Sequence, residues 1–392
     1  MKKSITMLAT ILYVMTGCEE SKQSTDELIT VDVTASYPKK ELILQDFMDV
    51  EYVPLETTDE FITQGLLQDV GEEYIIVINR VDDGDIFIFD RSGKALRKIN
   101  RLGQGGEEYS YISGIVLDEN ESEILVNDYF SKKIMVYDME GNFKRNLPHK
   151  KDGSRYGEFH EFDREHLICY ESYNDNYRTD SMQVGPTFMV VSKRDGSISG
   201  EIQIPFKEKK TTMVTLEKDE TTGLIYTYAP STNYRLVPNF HDWILIEISS
   251  DTLYLYSQDR TMKPFIARIP SIQTMTPEVF LFVSLFTDRY YFMEAVKKDL
   301  SAGFPGTDLL YDKQEKAIFR YTVYNDDYAN EEKAFLKSWP VNNEIPTRQI
   351  LEAHELVEAY EKGQLQGRLK EIAATLDEES NPVIMLIKHK KQ

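Results

Sequence analysis

Cysteine is almost missing from this chain: 2 in 392 residues, Cys18 and Cys169. A small fold stapled by several disulfides is therefore excluded. Basic residues are also in deficit, 45 Lys+Arg against 66 Asp+Glu, a formal charge of -21. That balance argues against a generic polyanion binder, and no nucleic-acid partner is expected. No Gly-x-Ser-x-Gly elbow, Walker phosphate loop or His-x-x-x-His pair occurs, so the commonest local signatures of catalysis are lacking. What the chain does have is 41% hydrophobic residues and 24 Tyr. That suits a soluble, strand-rich exported domain with a substantial core.

The first residues read as an export signal. Lys2 and Lys3 are followed by a mostly apolar run, Ile5 to Met15, too short for an ordinary spanning helix. Val14-Met15-Thr16-Gly17-Cys18 resembles a bacterial lipobox, with Met15 in the usual Leu slot. The resemblance implies cleavage before Cys18 and acylation there, which leaves 375 of the 392 residues. Residues 1–17 are the leader, 18–30 the lipidated N-terminus and tether, and 31–392 the folded domain. Glu19 and Glu20 resemble the surface-export signal of Bacteroidetes lipoproteins. This favours the cell surface of the outer membrane, with its periplasmic face as the alternative. With Cys18 acylated, no intrachain disulfide can form, and Cys169 in Leu167-Ile168-Cys169-Tyr170 reads as a core residue.

An internal repeat sets the fold. Ile76-Val77-Ile78 matches Ile124-Leu125-Val126, Ile86 to Asp90 matches Ile134 to Asp138, Gly93 matches Gly141 and Arg97 matches Arg145. Every pair lies 48 residues apart. Each unit reads as strands joined by Asp- and Gly-bearing turns, and four-stranded units of this size stack radially as a propeller. Glu165 to Tyr170, Thr187 to Lys193 and Ile198 to Ile204 supply a third unit. Gly223 to Tyr228, Trp243 to Ser249, Thr252 to Tyr256 and Phe265 to Ile269 supply a fourth. Val279 to Phe286, Tyr290 to Ala295, Leu309 to Asp312 and Ala317 to Val323 serve a fifth and part of a sixth. Helical periodicity follows, with Thr347 as a start and a second stretch from Arg368 to Leu376, before Asn381-Pro382 and a closing strand, Val383 to Ile387. The expectation is an all-β, six-bladed β-propeller with a short C-terminal helical segment and a closing strand that meets N-terminal strands.

Gly103-Gln104-Gly105-Gly106-Glu107-Glu108-Tyr109 and Tyr156-Gly157-Glu158-Phe159 resemble the links of NHL-type propeller repeats. With the lipobox and the phrase Tyr52-Val53-Pro54-Leu55-Glu56, the chain resembles the Bacteroidetes six-bladed β-propeller lipoproteins. That resemblance implies a cell-envelope propeller and carries no catalytic residues with it.

Chemistry is sparse at this level. His160 and His166 flank Glu161, Asp163 and Glu165, but a wet blade-connecting loop explains them better than a metal site would. Asp82-Asp83-Gly84-Asp85 reads as a turn, and Asn174-Asp175-Asn176 with Asp180 as an oxygen-rich loop. No catalytic residue, metal or cofactor is expected. The loops offer ligand contacts instead: Tyr109 and Tyr111; Asn127, Asp128 and Tyr129; and Tyr173, Asn174, Asp175 and Tyr177. Tyr rings and hydroxyls suit a glycan, a peptide or an envelope protein. The leading reading is a noncatalytic binding or scaffolding propeller. The alternatives are an extracellular polysaccharide hydrolase or lyase, and a structural subunit of a surface complex.

Cys18→Ser is expected to abolish incorporation of labelled fatty acid and to release the protein from the membrane fraction. Unchanged labelling would refute lipidation at this residue.

Overall fold

The computed structural model describes residues 28–150, 154–172, 186–215 and 227–390. Three strands come first: β1 (Ile29–Asp32), β2 (Lys39–Ile43) and β3 (Met48–Pro54), with the one-turn helix α1 (Leu44–Phe47) before β3. β1 starts inside the stretch read as tether.

The repeat folds as two sheets of one plan. Blade one is β4 (Leu66–Val70), β5 (Tyr74–Ile78), β6 (Asp85–Asp90) and β7 (Ala95–Asn100); blade two is β8 (Gly114–Asp118), β9 (Glu123–Asp128), β10 (Lys133–Asp138) and β11 (Phe143–Pro148). β12 (Tyr156–Glu161), β13 (His166–Glu171), β14 (Phe188–Ser192) and β15 (Ile198–Ile202) form blade three. A short ribbon, β16 (Val214–Thr215) with β17 (Thr227–Tyr228), precedes blade four. Blade four is β18 (Leu236–Asn239), β19 (Asp242–Leu245), β20 (Thr252–Tyr256) and β21 (Met262–Ile269). Blade five is β22 (Val279–Phe286), β23 (Tyr290–Lys297), β24 (Gly306–Asp312) and β25 (Ala317–Tyr324). Blade six begins with β26 (Thr347–Leu351), passes through helices α2 (Ala353–Glu361) and α3 (Gly367–Ala373), and ends in β27 (Val383–His389). The N-terminal β3 pairs antiparallel with β27 and completes that sheet. β1 and β2 add in parallel to the outer edges of blades four and five, on β21 and β25.

Three expectations are corrected. The inner strand of blade four is β18, not Gly223 to Tyr228, whose last two residues lie in the ribbon. Pro238 inside β18 disguised it, because proline argues against a strand interior. Leu309 to Asp312 and Ala317 to Val323 both belong to blade five. Thr347 opens a strand, and the helix starts at Ala353. The Leu351 and Leu356 spacing merged a strand end with a helix start.

Stacking leaves both faces of each sheet covered, so the strands read as continuous apolar runs. The described residues form six apolar clusters, one between each pair of neighbouring blades. β27 shows the logic. Val383, Met385 and Ile387 pack toward blade five and helices α2 and α3, while Ile384 and Leu386 pack toward blade one. Cys169 is buried between blades two and three, and burial pushes its thiol well up. The repeated glycines serve the same packing. Gly93 and Gly141 have φ of +87° and +81°, and a Cβ on Gly93 would stand 2.1 Å from the Pro54 carbonyl oxygen. The repeated arginines cross between blades: Arg97 Nη1 donates to Met139 O at 2.7 Å, and Arg145 Nη2 to Lys193 O at 2.8 Å.

Leu386→Ala at the seam is expected to lower stability by about 2–5 kcal/mol, read from urea unfolding. A loss below about 0.5 kcal/mol, the level of a surface substitution, would show that the seam does not hold the ring.

Candidate functional site

Strand direction gives the ring two unlike faces. On one, the turn face, each inner strand turns into the second, as at 71–73 and 119–122. On the other, the link face, each blade passes to the next. Of the ligand contacts expected from sequence, Tyr109, Tyr111, Asn127, Asp128 and Tyr129 fall on the link face or its turns, while Tyr173, Asn174, Asp175 and Tyr177 lie outside the described residues.

Three of the other five are structural. Tyr109 is fully buried, its ring edge-on to Tyr137 at 5.9 Å. Its hydroxyl donates to Gly84 O at 2.7 Å and accepts from Arg101 N at 2.9 Å. Burial pushes that phenol up to about 12. Asn127 is buried, donates from Nδ2 to Tyr156 O at 2.9 Å and meets His149 Nε2 at 2.9 Å. Asp128 is buried and accepts from the N–H groups of Ser110 at 2.7 Å and Ser131 at 2.9 Å. Burial opposes its charge, but those hydrogen bonds outweigh it and hold the carboxyl below its ordinary value. All three lock the first blades together. Tyr111 and Tyr129 do meet, through a residue that sequence reasoning passed over. Phe130, 59% exposed, lies 4.9 Å from the Tyr111 ring and 5.5 Å from that of Tyr129.

The larger feature is inside the ring. A cavity of about 1130 Å³ runs along the inner strands β4, β8 and β12 and reaches the turn face. The segment 339–345, leading into β26, forms its far wall. This segment is tied across the channel: Asn342 Nδ2 donates to Val70 O at 2.7 Å, and Arg348 Nη1 to Trp339 O at 2.7 Å. Both tryptophans of the chain, Trp243 and Trp339, line the cavity.

Four blades supply its chemistry. A bulge in β4, where the register slips between Leu67 and Asp69, sets Asp69 on the wall. Asp69 accepts from Leu117 N and Val70 N, each at 2.8 Å. Burial raises its carboxyl from 3.8 to about 7, against those two hydrogen bonds and with help from Glu161 and Glu119. His160 of β12 lies 5.0 Å from the Trp243 ring, and burial pulls its imidazole down to about 4, so it is neutral at pH 7. His166, the other member of the sequence pair, is tied to Asp163 at 2.8 Å and does not join it. Arg348 of β26 keeps its charge, though burial lowers it to about 10. Among the described residues, five buried side-chain polar atoms without a protein partner belong to residues that line this cavity: Arg91 Nη1, His160 Nε2, Trp243 Nε1, Asn343 Oδ1 and Arg348 Nε. These residues sit far apart in sequence, so no local motif marks them. The one available signal was the rarity of tryptophan.

The DUF5128 family, a 6-bladed beta-propeller, matches residues 19–344, and the chain belongs to it. A candidate exported protein from Bacteroides fragilis shares the fold at 15% identity and a TM-score of 0.56, over 90% of this chain and 99% of that one. A DUF4221 member from Bacteroides vulgatus aligns at 12% identity and a TM-score of 0.46, over 88% and 98%. No curated protein matches the sequence. Among the described residues, no helix is long and apolar enough to cross a membrane.

Asp69 is expected to titrate near pH 7 in carbon NMR of labelled aspartate, with Asp69→Asn as the assignment control. Because the fold raises this acid, ionising it opposes folding increasingly from about pH 4 to about pH 7. A midpoint below about 5, within the ordinary range for aspartate, would mean that water reaches the carboxyl freely.

Proposed function

Starting from that family membership, we propose that the chain is an exported, lipid-anchored binding protein that holds an extracellular glycan in its central cavity. The leader at residues 1–17 and the exported B. fragilis neighbour support the location.

One observation carries the binding reading. Five buried polar atoms without protein partners belong to residues around one cavity. An unmet buried donor or acceptor costs about 1–3 kcal/mol, so gathering them in one place marks a surface kept for a polar ligand. The Trp339 indole, 45% exposed, adds an apolar plane beside them. Hydrogen-bonding groups around aromatic planes are what a sugar ring requires, because it offers hydroxyls at its rim and C–H groups on its faces. The cavity volume of about 1130 Å³ stands just above the ~300–1,000 Å³ usual for ligand pockets. It has room for several sugar units.

A second reading rests on Asp69, which holds its proton to near neutral pH, and on neutral His160 and Arg348 at the same cavity. Those groups suit acid–base cleavage of a polysaccharide.

Trp339→Ala is expected to weaken glycan binding about tenfold or more, a difference of about 1.4 kcal/mol, in calorimetry against a glycan panel, with the melting temperature kept. Sustained release of product from a bound glycan would replace the binding reading with the enzymatic one.

A further inference from the structure

We infer that the glycan is acidic, a uronic-acid sugar, and that Arg348 seats its carboxylate. This deepens the reading of the cavity as a glycan site and rests on it.

The argument begins with where the guanidinium spends its hydrogen bonds. Arg348 Nη1 donates to Trp339 O at 2.7 Å and Nη2 to Leu67 O at 2.6 Å, both uncharged carbonyls, and Nε has no protein partner. Other arginines at blade boundaries grip carboxylates. Arg145 holds Glu123 through two bonds of 2.6 Å, and Arg289 holds Asp312 at 2.8 Å. A guanidinium is shaped to meet a carboxylate in a planar, charge-assisted contact.

Three of the carboxylates sharing the cavity are bonded elsewhere. Asp69 gives its oxygens to Leu117 N and Val70 N. Glu119 accepts from the N–H groups of Glu72, Glu73 and Tyr74 at 2.7 to 3.0 Å. Glu161 takes the Lys193 ammonium at 2.6 Å.

The remaining idle atoms are mostly donors. Arg91 Nη1, Trp243 Nε1 and Arg348 Nε can only donate, while Asn343 Oδ1 accepts and His160 Nε2 does either. A surplus of donors calls for a ligand rich in acceptors. The acidic groups at the mouth oppose a dense polyanion, so the fitting ligand spaces its carboxylates along a polyhydroxylated chain. The exposed indole of Trp339 favours a sugar ring over a peptide terminus as the carrier of the acid.

Calorimetry of the whole mature protein tests this with trimers of galacturonic, glucuronic and mannuronic acid and their carboxyl-reduced, neutral counterparts. At least one acidic trimer is expected to bind about tenfold or more tightly than its reduced twin. Arg348→Gln should erase that preference, whereas Trp339→Ala should weaken acidic and neutral trimers alike. The comparison of acid with reduced sugar uses the wild-type chain alone, so it stands even if Arg348→Gln fails to fold. Equal binding of a trimer and its reduced twin, or preference for the neutral form, overturns the carboxylate seat and leaves glycan binding intact. If no acidic trimer, neutral trimer or other glycan of the panel binds, both readings fall.

Discussion

Pairing of β3 with β27 is the interaction on which the rest depends. Each blade exposes two apolar faces, and only a closed ring covers all of them. Without the seam, blade six loses its outer strand and blade one loses the surface against which Phe87 and Phe89 pack. The register runs Met48 to Pro54 against His389 to Val383, so opposite ends of the chain build one sheet. Closing so large a loop has an entropic cost that grows only slowly with length. A seven-residue antiparallel seam, in which Val383 to Ile387 are buried on both faces of the sheet, offsets that cost.

The same N-terminal segment does more than close the ring. Before reaching blade six it lays β1 along blade four and β2 along blade five. Parallel pairing follows from its direction of travel beside outermost strands. Two edges that would otherwise be open for pairing are covered. Val31 of β1 enters the core between blades four and five, so the segment is part of the packing as well as a cover. Blades four to six therefore depend on residues far away in sequence, whereas blades one to three are built from consecutive strands.

This division explains how far the sequence could be read. Blades one and two were legible because apolar runs, Asp turns, glycines and arginines recur at one spacing, and each has a local physical role. Gly93 and Gly141 need positive φ and close packing, and Arg97 and Arg145 reach the next blade. β18 was hidden by Pro238, and β26 by helical spacing just beyond it. The parallel partnership of β1 and β2 left no local signal, since pairing at a sheet edge is decided in space. The site was less legible still. Polar residues at turns look alike in sequence whether they lock two blades, as Asn127 and Asp128 do, or face solvent. Only the fold separates Tyr109, which is sealed, from Tyr111, which meets an exposed Phe130.

Where the repeat is kept, its side chains serve packing; where it breaks, chemistry enters. Asp69 occupies the place that Leu117 holds in blade two: Asp69 pairs with Ile76 and Leu117 with Ile124, matching strands of the two units. Leu117 packs into the core between blades one and two, while Asp69 faces the cavity and takes the Leu117 N–H. A carboxyl there opposes folding as it ionises, while its oxygens take the Leu117 and Val70 N–H groups. Arg348 is a second departure, an inner-strand cation whose bonds end on carbonyls. A ring that needed only to be stable would fill both places with apolar side chains, as blade two does at Leu117. An acid on blade one and a cation on blade six at one cavity are the two departures from the repeat on which the proposed polar-ligand site rests.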